Sequence, residues 1–194
     1  MAATTFPSTT ECPHCGAALN ARYAQLGQKR LFCGYEQCTC AGAEAEREAI
    51  AAREMDAAER AEADRRRRSL VRAGVPERYL ALDHPMAGEL ASAMEEGRWL
   101  YLWGDVGTRK TTCAAAVAMR LHDNGKRPLM VPMYRVLDEI QRSFHEGGDP
   151  LRRYADADYL IIDDLGKRRP TGFVLDSLFQ LVDRRYSAMR PTLV

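Results

Sequence analysis

The chain has 194 residues; 46 % are hydrophobic, 28 % are charged, and 28 Lys and Arg against 27 Asp and Glu leave a formal charge of +1. Those proportions are ordinary for a globular protein and exclude a disordered, collagenous or membrane-embedded chain, while the near-zero balance confines any nucleic-acid surface to a local patch. The longest apolar runs, such as 113–119, fall far short of the roughly 18 residues a bilayer span requires. Residues 1–10 lack the basic start and hydrophobic stretch of a secretory signal, so the expected compartment is the cytoplasm and no membrane partner is expected.

Cysteine usage says more than charge. Five of the six cysteines, Cys12, Cys15, Cys33, Cys38 and Cys40, lie within the first 40 residues, and such clustering in a reducing compartment favours metal over disulfides. Residues 1–42 are expected to be a small zinc-binding module, since they hold too few large apolar side chains for a core of their own. Cys12-Pro13-His14-Cys15-Gly16 is a tight knuckle able to supply two thiolates, and a tetrahedral zinc site needs four ligands. The second pair is read as Cys38 with Cys40, which sit where a long helix should begin; Cys33 with Cys38 is the alternate pair and His14 an outside candidate.

Residues 43–73 are almost entirely Ala, Glu and Arg, with no Gly or Pro before Gly74. Good helix formers without interruption predict one long exposed helix, and 43–75 is read as a charged helical linker. The four arginines 65–68 are read as a solvated helix end.

From 76 to 194 short apolar runs alternate with amphipathic segments. Strands are expected at 99–103, 128–132, 159–163 and 191–194, and helices at 111–122, 134–145 and 173–189. In the second helix Val136, Leu137, Ile140 and Phe144 share one face. Continuous apolar strands between such helices imply an α/β fold, a parallel sheet with helices on both faces. Cys113 is read as core, and His84, His122 and His145 are given no role.

Two motifs carry the chemistry of this region. Gly104-Asp105-Val106-Gly107-Thr108-Arg109-Lys110-Thr111 follows an expected strand and opens an expected helix, with Thr112 next in the first turn. That is the context of a phosphate-binding loop, whose backbone N–H groups and helix dipole cradle phosphates. Lys110 would neutralise the β and γ oxygens and Thr111 would offer its hydroxyl to Mg²⁺. The pattern G-x-x-x-x-G-K-S/T calls for glycine where this chain has Arg109, and a side chain there is expected to distort the turn and weaken binding. The second motif, the apolar run 159–162 ending in Asp163 and Asp164, gives one carboxylate for the hydrated Mg²⁺ (Asp163) and one to orient or deprotonate the attacking water (Asp164).

Taken together, these residues resemble the DnaC/IstB-type AAA+ helicase loaders of bacteria and their phages. The resemblance is carried by Ala73-Gly74-Val75-Pro76-Glu77-Arg78-Tyr79, by 104–111, by Asp163-Asp164-Leu165-Gly166, and by 178–186 with Arg190-Pro191-Thr192. It implies a P-loop ATPase that uses ATP and Mg²⁺, binds a replicative DNA helicase through its N-terminal module, and places it on single-stranded DNA, with a homo-oligomer among the expected states. The family would continue beyond Val194 into a sensor residue and an arginine finger, so the resemblance implies an incomplete core that hydrolyses ATP poorly. An IstB-type transposition helper and a nucleotide-independent zinc adaptor with a degenerate loop are the alternatives.

Overall fold

The computed structural model describes residues 8–27, 29–146, 148–165 and 171–194. Gly166 of the acidic motif and the side chains of Phe144 and His145 lie outside the described residues. The chain divides into two compact units, Met1–Ala63 and Asp64–Val194. Among the described residues no helix is long and apolar enough to cross a membrane.

The first unit is built on a three-stranded antiparallel sheet of β1 (Thr9–Glu11), β2 (Ala18–Leu26) and β3 (Lys29–Tyr35) in the order β1-β2-β3. Tyr23 sits opposite Phe32, and Phe32 meets the rings of Tyr23 and Tyr35 edge-on at 5.8 and 5.2 Å. Such cross-strand ring pairs stabilise a ribbon whose faces are otherwise solvated. The sequence gives little warning of this ribbon, because β2 is mostly exposed and has no clean apolar alternation. The expected long helix follows as α1 (Ala41–Arg72), starting one residue after Cys40.

The second unit adds α2 (Ala87–Glu95), α3 (Lys110–Asp123), β4 (Pro128–Pro132), α4 (Met133–Glu146), α5 (Arg152–Ala155), β5 (Tyr159–Asp163), α6 (Gly172–Ser187) and β6 (Thr192–Leu193). The three strands form a parallel sheet in the order β4-β5-β6. The strand expected at 99–103 is reduced to a parallel bridge between Leu100 and Leu193. Its hydrogen bonds nevertheless continue: the N–H groups of Leu100 and Leu102 donate to the carbonyls of Thr192 and Val194, and the Val194 N–H donates to the Leu100 carbonyl. The pairing is short because β6 itself holds two residues, against four expected. Segment 99–103 therefore lies beside β6, and β6 separates it from β5, the strand that ends in Asp163.

Alternation along the strands feeds two cores, one on each face of the sheet. Met130, Ile161 and Leu193 pack with Leu70, Val75 and the apolar sides of α2 and α3. Val131, Leu160 and Ile162 pack with Val136, Leu137 and Ile140 of α4, Tyr154 of α5 and Leu181 of α6. Helices cover both faces, as the strand composition implies. Two helices, α2 and α5, were not anticipated; α2 is alanine-rich, and four residues of α5 are too few to show a period.

Candidate functional site

In the second unit the loop 104–109 joins the sheet edge to α3. Lys110, half-buried at the start of α3, donates from Nζ to the carbonyls of Gly104 (2.7 Å) and Asp105 (2.8 Å), so its ammonium spans the mouth of the loop. Thr108 closes the turn by donating from Oγ1 to the Asp105 carbonyl at 2.8 Å. No side chain caps the helix at Arg109, which leaves the first N–H groups of α3 available to an anion. Thr112 is half-buried in that first turn.

Across the sheet, Thr111 Oγ1 donates to Asp163 Oδ1 at 3.1 Å. Residues 52 positions apart thus meet because α3 begins, and β5 ends, at the carboxyl end of the parallel strands. Asp164 follows with a left-handed backbone (φ 58°), which ends the extended run of β5 at Asp163. A cavity of about 370 Å³ opens here, bounded by Gly104, Val106, Lys110, Thr111, Asp163 and Asp164. Tyr101, Trp103 and Leu165 also border it; their sequence signal is position alone, Trp103 directly before the loop and Leu165 directly after Asp164.

Arg109 takes the conformation that a glycine would take there, with φ 61° and ψ 25°. The turn keeps its shape, and the guanidinium points away from it, with Nη2 donating to the Asp83 carbonyl at 3.3 Å. The expected intrusion into phosphate space is absent. What remains is the strain of a left-handed non-glycine residue, about 1–2 kcal/mol.

A second cluster lies in the first unit. The sulfurs of Cys12, Cys15, Cys38 and Cys40 all lie within 4.8 Å of one another, with Cys15 and Cys38 at 3.4 Å and Cys12 and Cys40 at 3.8 Å. Four sulfurs at 2.3 Å from a tetrahedral zinc would be about 3.8 Å apart, so the donor set matches that ion to within about 1 Å. The knuckle is closed by Cys12 N–H to the Ala17 carbonyl and Gly16 N–H to the Cys12 carbonyl, both 2.8 Å. On the other side, Arg47 holds the Cys38 carbonyl at 2.8 Å and His14 Nε2 meets Glu46 at 2.8 Å. His14 is thereby engaged away from the sulfurs. Cys33, the alternate ligand, is also outside the cluster: it lies on β3 and its thiol donates to the Leu31 carbonyl.

The backbone amide of His14 helps to hold the Cys12 thiol down at about 6. Against the lowering effect of the Ala17 amide, the neighbouring sulfurs of Cys38 and Cys40 push Cys15 up to about 12. Crowded sulfurs resist carrying several negative charges together unless a cation balances them.

No family model matches the chain. Two curated proteins of Escherichia coli strain K12 are similar to part of it. The uncharacterized protein YdaV is 34 % identical over 90 residues, which cover 45 % of this chain and 36 % of YdaV. The replicative helicase loader DnaC is 30 % identical over 93 residues, which cover 46 % of this chain and 38 % of DnaC. The matched stretch thus spans less than two-fifths of either relative. Among solved structures, the crystal structure of a DNA replication initiation factor superposes with a TM-score of 0.50 at 17 % identity, covering 59 % of this chain and 39 % of that one. The chain is accordingly DnaC-like in sequence, with the AAA+ P-loop fold and a four-cysteine cluster ahead of it.

Proposed function

We propose that this protein binds ATP with Mg²⁺ and acts in DNA replication as a helicase loader, engaging a replicative helicase and single-stranded DNA. The observation that carries the nucleotide reading is the Thr111–Asp163 hydrogen bond beneath a loop whose lysine faces inward. A hydroxyl and a carboxylate at 3.1 Å, beside an uncapped helix start, are the protein's share of a hydrated magnesium site next to a phosphate cradle. The similarity to DnaC supports the replication role.

In this reading each residue has a definite task. Backbone N–H groups of 104–112 surround the phosphates, and Lys110 exchanges its two carbonyl partners for phosphate oxygens, a stronger charge-assisted contact. Thr111 and Asp163 hold the metal with its waters, and bound Mg²⁺ neutralises charge on the phosphates. Asp164, at the border of the same cavity, can orient a water for attack. Cys12, Cys15, Cys38 and Cys40 hold Zn²⁺, which supplies the folding energy that the small N-terminal sheet lacks.

Titration with a fluorescent ATP analogue tests the nucleotide part. Binding should require Mg²⁺, fall at least tenfold in Lys110→Ala, and lose its magnesium dependence in Asp163→Asn. Binding that is unchanged in Lys110→Ala would refute it. Co-purification of the full chain with the replicative helicase of the same cell, with and without MgATP, tests the partner; no association in either condition would remove the loader assignment.

A further inference from the structure

The β2–β3 ribbon is rooted at both ends in the cysteine cluster: β2 begins three residues after Cys15, and β3 ends three residues before Cys38. No described residue of 18–35 is buried, so the rings it carries belong to no core. Tyr23, Phe32 and Tyr35 follow one another in a continuous row, with centroids 5.8 and 5.2 Å apart. Tyr23 is 41 % exposed. Beyond it, toward the tip of the ribbon, the Arg30 guanidinium carbon lies 4.6 Å from the centroid of its ring and extends the row by one more flat group.

Charge says what fits this row. Segment 18–35 holds Arg22, Lys29 and Arg30 and no Asp or Glu, in a chain whose formal charge totals only +1. Among the described residues neither Arg22 nor Arg30 pairs with a carboxylate. The arginine run 65–68 differs, since Arg66 is paired with Asp123 and Arg67 with Glu77. The ribbon is therefore the local basic patch that a near-neutral chain needs if it is to meet a polyanion. An acidic peptide would use the cations and leave the rings idle, and duplex DNA keeps its base faces stacked on one another. A single strand offers both phosphates and open base faces, and rings with arginines interleaved are what such a strand stacks upon.

We infer that the Tyr23–Phe32–Tyr35 row with Arg30 is a stacking surface for single-stranded DNA, whose phosphates Arg22 and Arg30 neutralise. The inference rests on the proposed engagement of single-stranded DNA and assigns it to the first unit rather than to the nucleotide cavity of the second. Fluorescence anisotropy of the full chain, purified without chelator, tests it with a labelled oligothymidylate of about 20 nucleotides, longer than the roughly 4–16 that such surfaces occupy. Tyr23→Leu combined with Arg30→Gln keeps bulk at two exposed positions and removes a ring and a guanidinium; it should weaken binding at least tenfold with zinc content unchanged. Arg65→Gln combined with Arg68→Gln removes two exposed cations elsewhere and should weaken it less than about threefold. The same strand in a duplex should bind at least tenfold more weakly. Photocrosslinking of the wild type to an oligonucleotide carrying 5-bromodeoxyuridine needs no variant, and peptide mapping should place crosslinks within 18–35. No binding by the wild type would remove single-stranded DNA from the proposed function, and this inference with it. Wild-type binding that survives in the ribbon variant, falls equally in both double variants, is matched by the duplex, or crosslinks only outside 18–35 would leave that part standing and overturn the inference alone. A ribbon variant that keeps DNA binding but no longer co-purifies with the helicase would overturn it too, by making the row a protein-docking surface.

Discussion

A Cβ atom added to Gly74 would lie 1.8 Å from the Met130 carbonyl oxygen. The approach is this close because the chain leaving α1 runs along the free edge of β4, where the Met130 N–H donates to the Ala73 carbonyl at 2.7 Å. Gly74 also has φ 91°, outside the range of ordinary side-chain-bearing residues. Gly74→Ala must therefore move backbone as well as adopt a strained φ, and the two costs together are on the order of 3 kcal/mol or more. Urea denaturation monitored by tryptophan fluorescence should show the loss; a midpoint equal to that of the wild type would mean the segment can lift from β4 without cost.

Metal analysis of protein purified without chelator should find about one zinc per chain, as one tetrahedral site requires. Cys12→Ser and Cys38→Ser should each lose the metal and unfold the N-terminal sheet. Cys33→Ser should keep it, because that thiol is bonded to the Leu31 carbonyl, outside the cluster. Equal zinc loss in all three variants would place Cys33 among the ligands and displace Cys40.

What could be read from the sequence was whatever depends on local pattern. Apolar runs flanked by amphipathic segments located β4, β5 and the helices around them, and the Cys38/Cys40 pairing followed from their position at a helix start. The Thr111–Asp163 contact was implied by motif alone, through its residue types. Three features depend instead on tertiary geometry. The β2–β3 ribbon is held by ring contacts between Tyr23, Phe32 and Tyr35 rather than by a buried face. Segment 99–103 has the right composition for a full strand, yet pairs over only the few residues that β6 offers. Arg185 reads as one more charge near the end of an amphipathic helix, and it is wholly buried.

That arginine is the tie between α5, α6 and β6. Its guanidinium donates to Thr192 Oγ1 (2.8 Å) and to the carbonyls of Tyr154 (2.8 Å), Ala157 (2.7 Å) and Pro191 (2.7 Å). Burial lowers its pKa to about 10, which leaves it charged at neutral pH. Arg185→Met would keep much of the packing and strand several buried carbonyls, each costing about 1–3 kcal/mol. Arg185→Lys should also destabilise, since one ammonium cannot reach all five acceptors, the Ala155 carbonyl at 3.2 Å included. Both should lower the urea midpoint well beyond the effect of Arg152→Met, a change at an exposed position. Equal effects at the two sites would show that the buried hydrogen bonds add nothing.

Arg109 is where motif and structure differ most in what they lead one to expect. From sequence, a side chain at the glycine position should crowd the phosphates, and Arg109→Gly should tighten MgATP binding at least tenfold, about 1.4 kcal/mol. In the structure the residue accepts the left-handed turn, and its guanidinium reaches the Asp83 carbonyl outside the loop. The strain of that turn is then present with and without nucleotide, so it cancels from the binding free energy and appears only in folding stability. Arg109→Gly should accordingly stabilise the chain by about 1 kcal/mol, less whatever the Asp83 contact and the greater freedom of an unfolded glycine offset. Its nucleotide affinity should stay within about threefold of the wild type, a difference of about 0.6 kcal/mol. Arg109→Ala separates the two contributions, because it keeps the strain and removes the guanidinium: it should lose stability relative to Arg109→Gly while matching it in affinity. Parallel urea denaturation and nucleotide titration of the three proteins decide the matter. A tenfold tightening confined to Arg109→Gly would show that the loop changes conformation at this residue when it binds phosphate, and would restore the expectation drawn from the motif.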